Sequence, residues 1–444
     1  MTTYWCELAW LGGDEASSGV VVETDGAFIV AVNEGHDLPP SGAHVRHGLT
    51  LPGLANAHSH AFHRALRGRT HGHGGSFWTW RDQMYDVVAT LDPDRYYALA
   101  RATYGEMALA GFTSVGEFHY LHHAPNGVPY DDPNAMALAL CAAASDVGVR
   151  LTLLDTCYLY GGLAADGGDI ELNATQQRFA DADVDSWASR ADTLSATGGM
   201  RVGAAVHSVR ACRPEDIGAV AGWTDARGAV LHAHVSEQPA ENAACLAAHG
   251  ATPTVVFDEA GALGPRFTAV HATHLTVADV GLLGGHRCTA CFCPTTERDL
   301  ADGIGPASAL VAAGARLSIG TDSQAVVDGF EETRAIELDA RLASNHRGNL
   351  SVATLLAAAT ASGHASIGWD DAGAIGVGMR ADLVTVSLSS VRLAGTSALD
   401  ALAAVVFSAT TADVTHVIVD GREIVADGCH RSIDVAGELA AALR

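Results

Sequence analysis

Apolar and polar positions alternate along both ends of the chain with the two-residue period of a β-strand. The stretches VVVETDGAFIVAVNEG near the start and VTHVIVDGREIVADG near the end each place an Asp-Gly turn signal between two β-branched runs. The two ends share this pattern, and the middle of the chain does not. We therefore expect residues 1–50 and 377–444 to combine into one small β-sheet domain.

The middle of the chain alternates short apolar segments with longer, alanine-rich helical stretches. One such stretch, DPDRYYALARATYGEMALAG, is expected to end on Gly111 as a C-cap. Eight apolar segments occur: LPGLANAHSH, FTSVGEFH, VRLTLLDT, MRVGAAVHS, AVLHAHVSE, FTAVHATH, RCTACFCP and RLSIGTDS. A strand followed by a helix, repeated eight times, predicts an α/β fold with a parallel (β/α)8 TIM-like barrel over residues 51–376.

The composition supports a large folded core and restricts the partners of the protein. The 444 residues can form one large barrel with an accessory layer, and 48% hydrophobic against 17% charged residues supply its core. The net charge of −25 opposes binding to nucleic acid or to an anionic membrane surface, because both are negatively charged. A small anionic substrate would need local arginines to overcome this field.

The cysteines and the N-terminal segment indicate a cytoplasmic protein. Nine cysteines are scattered through the chain, and MTTYWCELAWLGGDE has neither the basic region nor the apolar run of an export signal. No stretch is apolar for long enough to suggest a membrane span. Cys288, Cys291 and Cys293 in CTACFCP resemble part of a zinc site, but no second Cys or His pair follows at finger-like spacing. We favour a buried strand that carries small thiols.

Six of the eight apolar segments end in polar residues with reactive side chains, namely HSH, EFH, HSVR, HVSE, HATH and TDS. In a (β/α)8 barrel the carboxyl ends of the strands together form the mouth of the active site. Convergence on one site explains these six polar ends better than chance placement of histidines near turns.

Four of these polar residues are candidates for metal ligands. His58 and His60 lie two residues apart, so on a strand both imidazoles point to the same face and can bind one ion. His234 and Asp322 come from two other strand ends. Three imidazoles and one carboxylate suit one Zn²⁺, although Fe²⁺ and other divalent metals share such ligands. Taken singly, each residue could equally be a polar group satisfied at a loop.

Glu237 and His271 are candidates for proton transfer. Glu237 follows His234 by three residues, close enough to exchange protons with a water at the metal, although a carboxylate there would also suit a helix dipole. His271 ends its strand, whereas His274 follows it in the loop, so we favour His271 as the site residue. A water that zinc brings to a pKa of about 7 would be the nucleophile.

The segments HSH, HVSE, VHATH and GTDS together resemble the amidohydrolase superfamily, in its mononuclear metal-dependent deaminase branch. The resemblance implies a metal-dependent (β/α)8 barrel, a β-sandwich built from both chain termini and a homodimer. The dinuclear branch uses a carboxylated lysine, and the fourth apolar segment, MRVGAAVHS, contains no lysine. One metal ion is therefore favoured over two.

Narrower motifs, such as AHSHAFHRALRGR, SFWTWRDQMY, GEFHYLHH and HSVRA, resemble the members of that family that hydrolyse N-formimino-L-glutamate to N-formyl-L-glutamate and ammonia in histidine degradation. The resemblance implies metal ligands His58, His60, His234 and Asp322, catalytic residues Glu237, His271 and Asp322, and substrate-binding residues His63, Arg81, Tyr120, His207 and Arg210. Arginines suit this substrate because a guanidinium binds a carboxylate bidentately. His63 is a departure, since those members carry a glutamine there and an imidazole cannot copy both the donor and the acceptor of an amide.

Two other functions stay open from the residues alone. A deaminase or hydrolase of the same family acting on a purine, pterin or triazine ring would need an aromatic slot, and the two arginines and 6% aromatic residues argue against it. A non-catalytic metal-binding protein on this scaffold would be expected to lack Glu237, His271 or a ligand, and all are present. The glycines of HGHGGS, residues 71–76, would permit a loop to close over the substrate.

Overall fold

The computed structural model describes residues 1–70 and 77–444. The segment 71–76, for which the sequence permits a closing loop, lies outside the described residues. In the described part of the chain, no helix is both long and apolar enough to cross a membrane.

Eight parallel strands form a barrel in chain order, and each coincides with one of the eight apolar segments. Barrel strands 1 to 8 are, in order, Leu54–Ser59, Phe112–His119, Arg150–Cys157, Met200–Val206, Leu231–Val235, Phe267–His271, Thr289–Phe292 and Arg316–Ile319. Most of their residues are buried, as expected for parallel strands that are covered on both faces. The thiols of Cys288, Cys291 and Cys293 are buried in and beside barrel strand 7, as predicted. The predicted barrel is confirmed.

The barrel closes at the carboxyl ends of its first and last strands. Ser59 forms a parallel bridge with Asp322. The backbone nitrogen of Asp322 donates to the carbonyl of His58 at 3.0 Å, and the nitrogen of His60 donates to the carbonyl of Asp322 at 3.2 Å. Closure therefore joins the HSH and TDS segments directly, although they lie far apart in the sequence.

Helices cover the barrel, and their ends follow ordinary capping rules. The longest begins after Asp92, whose carboxylate accepts from the backbone nitrogen of Arg95 at 2.8 Å. It ends at Leu109 with Ala110 as the C-cap, so the predicted cap at Gly111 was wrong by one residue. Gly111 follows at a φ of 92°, a left-handed conformation that turns the chain into barrel strand 2.

The α-helices of the described residues are Phe77–Thr90, Pro93–Leu109, Ala135–Val147, Val184–Ala191, Pro214–Arg227, Pro239–His249, Pro253–Glu259, Val277–Gly285, Pro294–Asp299, Ala307–Ala313, Gly329–Ser344, Val352–Ala359, Ala361–Ser366, Ala401–Ser408 and Val435–Ala442. The short 3₁₀ helices are Ala61–Leu66, Pro125–Gly127, Gln176–Arg178, Ala398–Asp400 and Thr411–Asp413. A small two-stranded hairpin pairs Gly162–Leu163 with Asp169–Ile170.

Strands from both chain ends form a second sheet, as predicted. Its eight strands, which we call the terminal sheet, are Thr2–Ala9, Ser17–Asp25, Phe28–Asn33, His44–Pro52, Leu383–Val386, Val414–Val419, Arg422–Ala426 and Cys429–His430. The two ends of the chain meet where Leu51 pairs with Val384 in an antiparallel register. All neighbouring strands of this sheet are antiparallel except Thr2–Ala9 and His44–Pro52, which are parallel. The division at residues 50 and 377 stays a prediction.

A buried ion pair joins the barrel to the terminal sheet. Arg150, the first residue of barrel strand 3, donates through Nη1 to Asp382 Oδ1 at 2.9 Å and to Asp420 Oδ1 at 2.8 Å. The side chains of Arg150 and Asp382 are each only 1% exposed. Burial by itself would raise the pKa of Asp382, but the Arg150 guanidinium holds this pKa below its usual value.

Replacing Arg150 with methionine is expected to lower the free energy of unfolding by about 3–5 kcal/mol near neutral pH, because it leaves a buried carboxylate without its cation. The pKa of Asp382 is depressed in the folded protein, so the pair stabilises the fold above the unfolded pKa of about 3.9, and this contribution is lost as the pH falls through the folded pKa. Urea unfolding of both proteins across this pH range measures the difference, which should shrink in acid.

The matched control is Arg431→Met, because Arg431 is 60% exposed and its nitrogen lies 3.4 Å from Glu423. That change is expected to cost less than about 1 kcal/mol. Equal losses in the two variants would show that Arg150 contributes no more than a surface charge.

Candidate active site

Four side chains converge where the barrel closes. The Nε2 atoms of His58 and His60 each lie 3.4 Å from Asp322 Oδ1. The Nε2 atom of His234, on barrel strand 5, lies 3.2 Å from that of His58. Donors that surround one zinc ion tetrahedrally lie about 3.3 Å from one another. These separations suit a zinc ion: His58, His60 and Asp322 form one group of possible metal ligands, and His234 joins His58 and His271 in another.

The protonation of the three histidines also fits a metal. Burial lowers the pKa of His60 to about 3, and lowers the pKa values of His58 and His234 well below the usual value, so all three are neutral. The Nδ1–H of His60 donates to the carbonyl of Phe118 at 2.9 Å, and that of His234 donates to the carbonyl of His207 at 2.9 Å. These bonds leave the Nε2 lone pairs facing the centre of the cluster, as metal-binding histidines require.

Strained backbone and one glycine hold this arrangement. Asp322 has a φ of 41° and His271 a φ of 67°, both in the left-handed region that side chains other than glycine seldom adopt. A Cβ atom on Gly320 would lie 2.7 Å from the Cβ of His58, so only glycine lets barrel strands 8 and 1 approach this closely. Strain of this kind persists where the surrounding structure enforces it.

A buried polar network fixes the HSH and TDS segments from behind. Glu117 accepts from the hydroxyl of Ser59 at 2.8 Å and from the backbone nitrogen of Ala61 at 2.7 Å. Gln324 donates to Ser59 Oγ at 3.0 Å and to the carbonyl of Asp322 at 2.9 Å. Burial raises the pKa of Glu117 to about 7 in spite of these hydrogen bonds. Glu117 lies inside the EFH motif, but the sequence did not predict that its side chain would contact Ser59 and Ala61.

His271 lies between three carboxylates. Its Nε2 is 3.9 Å from Glu237 Oε1 and 3.9 Å from Asp322 Oδ2, and its Nδ1 is 3.3 Å from Glu297 Oε1. Burial alone would lower the pKa of His271, but the hydrogen bond to Glu297 and the nearby carboxylates raise it well above the usual value. Among these groups, Glu297 was missed by the sequence analysis. The favoured choice of His271 agrees with the geometry, because His274 instead contacts the carbonyl of Asp302 at 2.7 Å.

A pocket of about 230 Å³ opens beside these groups. The five residues predicted to bind substrate all line it: His63, Arg81, Tyr120, His207 and Arg210. His63 Nε2 lies 3.0 Å from the hydroxyl of Tyr120. Arg210 donates to Glu237 Oε2 at 2.8 Å. A predicted substrate-binding guanidinium is therefore hydrogen-bonded to the residue predicted to act as the catalytic acid.

Other residues of the pocket wall were not predicted from the sequence. Tyr85, Tyr158, Asn173, Gln176 and Phe179 line it and come from a helix and a long loop. Tyr85 ends the motif SFWTWRDQMY, whereas the other four residues carry no motif, since only the packing of the loop against the barrel places them there. The wall is consequently more aromatic than 6% aromatic residues in the whole chain suggested. Whole-chain composition was therefore a poor guide to this pocket.

A (β/α)8 barrel that gathers three neutral histidines and an aspartate at its strand ends defines the class of metal-dependent barrel hydrolases. The sequence profile of the amidohydrolase family matches residues 49–424, and the chain belongs to that family. It is therefore an enzyme of the hydrolase class, as predicted.

Three known proteins illustrate the similarity. The formimidoylglutamate deiminase of Pseudomonas aeruginosa is 36% identical over 91% of this chain and 92% of its own length. The crystal structure of an amidohydrolase from Brucella melitensis has a TM-score of 0.92 and 31% identity, and covers 100% of this chain and 99% of its own. An adenosine deaminase from Xanthomonas campestris with bound zinc has a TM-score of 0.85 and 25% identity, over 99% of this chain and 96% of its own. Two of these three proteins, a deiminase and a deaminase, are deaminating enzymes.

Proposed function

We propose that the protein hydrolyses N-formimino-L-glutamate to N-formyl-L-glutamate and ammonia, as a zinc-dependent step of histidine degradation. The observation that carries this proposal is that Arg81 and Arg210 line the same pocket as the candidate metal ligands. Two guanidinium groups in an otherwise acidic protein suit a substrate with two carboxylates. The similarity to the Pseudomonas aeruginosa deiminase supports the same substrate.

His58, His60, His234 and Asp322 would hold the zinc ion. When bound, zinc acts as a Lewis acid that lets a water ionise near neutral pH. Asp322 would accept a proton from the attacking water, whose oxygen adds to the carbon of the formimino group. His271, 3.9 Å from Asp322, carries a positive charge that stabilises negative charge developing beside it.

Glu237 completes the reaction by giving a proton to the terminal nitrogen of the formimino group. Asp322 then passes the proton it took from water to the same nitrogen, the carbon–nitrogen bond breaks and ammonia leaves. The oxygen from water stays on the formyl product, and its remaining proton returns to Glu237. The distance of 3.9 Å between Glu237 and His271 supports a role for Glu237 as the acid beside the attacked carbon. Arg81, Tyr120, His207 and Arg210, with His63, bind the glutamate part of the substrate, so that binding energy positions the formimino group for reaction.

The first test is ammonia release by the zinc-loaded protein from N-formimino-L-glutamate, with N-formimino-glycine measured alongside. Rapid release from the first and little from the second is the expected result, because the glycine compound lacks the side-chain carboxylate. If the zinc-loaded protein released ammonia from neither compound, N-formimino-L-glutamate would be excluded as the substrate. A deaminase that acts on another substrate would still agree with the fold.

The aromatic pocket wall makes a ring deaminase the second candidate. Tyr85, Tyr120 and Tyr158 could stack on a purine, and the adenosine deaminase from Xanthomonas campestris shares the fold. Adenosine in the same ammonia assay separates the two functions. Turnover of adenosine without turnover of N-formimino-L-glutamate would favour the ring deaminase.

Replacing Arg210 with methionine is expected to lower kcat/KM for N-formimino-L-glutamate by about 10- to 150-fold, the cost of a lost hydrogen bond to a charged group. The preference over N-formimino-glycine should narrow in parallel, because only the larger substrate uses the lost contact. Steady-state kinetics with both substrates measure this. Arg213→Met is the matched control, since Arg213 is 30% exposed and pairs with Asp169. An unchanged preference in the Arg210 variant would contradict the assigned contact.

We further propose that the enzyme acts in the cytoplasm as a homodimer, with no nucleic acid or membrane partner. The nine cysteines are all unpaired in the described chain, which suits a reducing compartment. The net charge of −25 supports the absence of polyanionic partners. The dimer rests on the family resemblance, and light scattering of the purified protein tests it.

A further inference from the structure

A second cluster of metal-binding residue types lies on the outer side of the barrel. Phe118 packs against His58 and His234, with ring centroids 5.1 and 4.4 Å apart, and so faces the active site. The next residue, His119, points the opposite way, and its ring lies 4.8 Å from that of His122 and 6.2 Å from that of Tyr96. This cluster is therefore separate from the four ligands of the active site.

His119, His122 and Asp155 each bring one ligand atom into this cluster. The three atoms all lie within 4.8 Å of one another. Their residues are 1%, 1% and 0% exposed, and they come from the end of barrel strand 2, the loop after it, and barrel strand 3. His119 and His122 have the spacing His-x-x-His in the segment HYLHH. Of this segment, the proposed deamination uses only Tyr120.

The ring nitrogens of the two histidines are short of partners. His122 donates through Nε2 to the carbonyl of Thr156 at 2.9 Å, which leaves a lone pair on Nδ1. Among the described residues, that Nδ1 meets no hydrogen-bond partner, and neither do Nδ1 and Nε2 of His119. A buried polar atom without a partner costs about 1–3 kcal/mol. Three such atoms at one place indicate a group that binds there.

Asp155 is oriented as a metal-binding carboxylate should be. Its Oδ1 accepts from Trp187 Nε1 at 2.9 Å and from Arg190 Nη2 at 3.0 Å. Its Oδ2 accepts from Arg190 Nη1 at 2.8 Å, which leaves a further lone pair on that oxygen. Metal ligands are commonly fixed in this way by hydrogen bonds from the residues behind them.

The charges of this cluster also tolerate a cation. Arg190 is the nearest guanidinium, and it pairs with Asp181 as well as with Asp155, at 2.8 Å in each case. Asp181 also contacts His123 Nε2 at 3.2 Å, and apart from that imidazole the two carboxylates exceed the single guanidinium by one negative charge. A divalent cation beside neutral imidazoles would offset that excess.

We propose that His119, His122 and Asp155 form a second metal site, for Zn²⁺ or a similar transition-metal ion, with water as a further ligand. The ion would tie the loop after barrel strand 2 to barrel strand 3, directly behind Tyr120 in the pocket wall. Its role is structural, since the cluster does not reach the pocket. The proposal does not depend on which substrate the enzyme uses.

The two sites should differ in affinity. The active site offers four protein ligands, and three of their pairs, His58–Asp322, His60–Asp322 and His58–His234, lie 3.2 to 3.4 Å apart, close to the tetrahedral spacing of about 3.3 Å. The second site offers three protein ligands, and its carboxylate already accepts two hydrogen bonds from Arg190, so it should hold an ion less tightly. A chelator should therefore remove the second ion before the first.

Metal content per chain tests this proposal. The protein is stripped with a chelator, reloaded with graded Zn²⁺ and measured by mass spectrometry of the metal. The wild-type protein is expected to bind two ions in two steps, and His122→Gln and Asp322→Asn are each expected to keep one. His364→Gln is the matched control and should keep two, because His364 is buried but both its ring nitrogens have partners, the carbonyl of Thr360 at 3.0 Å and Thr113 Oγ1 at 3.3 Å.

A wild-type protein that saturates at one ion per chain would overturn the proposal, and so would a His122→Gln protein that still binds two. Anomalous scattering from zinc-loaded wild-type crystals gives the same answer without a variant. A peak among His119, His122 and Asp155 supports the site. Density for water alone at this position, with zinc present in the active site, overturns it.

Discussion

Replacing Glu237 with glutamine is expected to lower kcat for the proposed deamination by about 10²- to 10⁴-fold, the usual contribution of a positioned acid or base. Glutamine has the same shape but carries no proton that it can give to the leaving nitrogen. Glu237 belongs to none of the groups of possible metal ligands among the described residues, so the metal content should stay at the wild-type value. Ammonia release and metal content, measured on the same preparation, check both expectations.

The control for this variant is Glu259→Gln, at the exposed end of the helix Pro253–Glu259. It should change neither activity nor metal content. A Glu237→Gln protein that keeps more than a tenth of the wild-type kcat would remove Glu237 from the proton transfer. If the variant lost metal as well, Glu237 would belong to the ligand set instead.

Replacing Asp322 with asparagine is expected to abolish metal binding at the active site at micromolar zinc and to lower activity by about 10³-fold or more. The variant loses the one anionic ligand, whose Oδ1 lies 3.4 Å from both His58 and His60, and it loses the proposed proton acceptor. The fold should survive, because asparagine tolerates the left-handed φ of 41° at this position. Metal content, activity at saturating zinc and thermal unfolding together measure these effects.

Asp427→Asn provides a matched control. Asp427 has a φ of 51°, also in the left-handed region, but it lies exposed in a turn of the terminal sheet. This change should leave metal binding and activity intact. If the Asp322→Asn protein bound zinc fully, Asp322 would be excluded as a metal ligand. If that protein had also lost activity, Asp322 would act only as the proton acceptor.

Local patterns were sufficient to predict the barrel. Because parallel strands are buried on both faces, each strand has a short apolar sequence. The polar residues at its carboxyl end lie where the chain leaves the core. All eight runs became barrel strands for this reason. The same local signal singled out His58, His60, His234 and Asp322, which the fold brings together.

Residues whose position depends on distant packing were not predictable in this way. Glu297 reaches His271 from the helix after barrel strand 7, and Glu117 reaches Ser59 across the neighbouring strand. Tyr158 and Gln176 enter the pocket from a loop without periodic pattern. In each case the partner lies far away in the sequence, and no spacing rule connects the two.

The amino-acid sequence by itself determined which segments are strands, which of them end in metal-binding and acid–base residue types, and that both chain ends build a second sheet. Only the tertiary structure decided that closure of the barrel pairs Ser59 with Asp322, that Arg210 contacts Glu237, and that His119 turns away from the active site toward His122. The physical reason is that hydrophobic periodicity is a local property of the chain. Hydrogen bonds, ion pairs and strain at the site arise only when distant segments pack together.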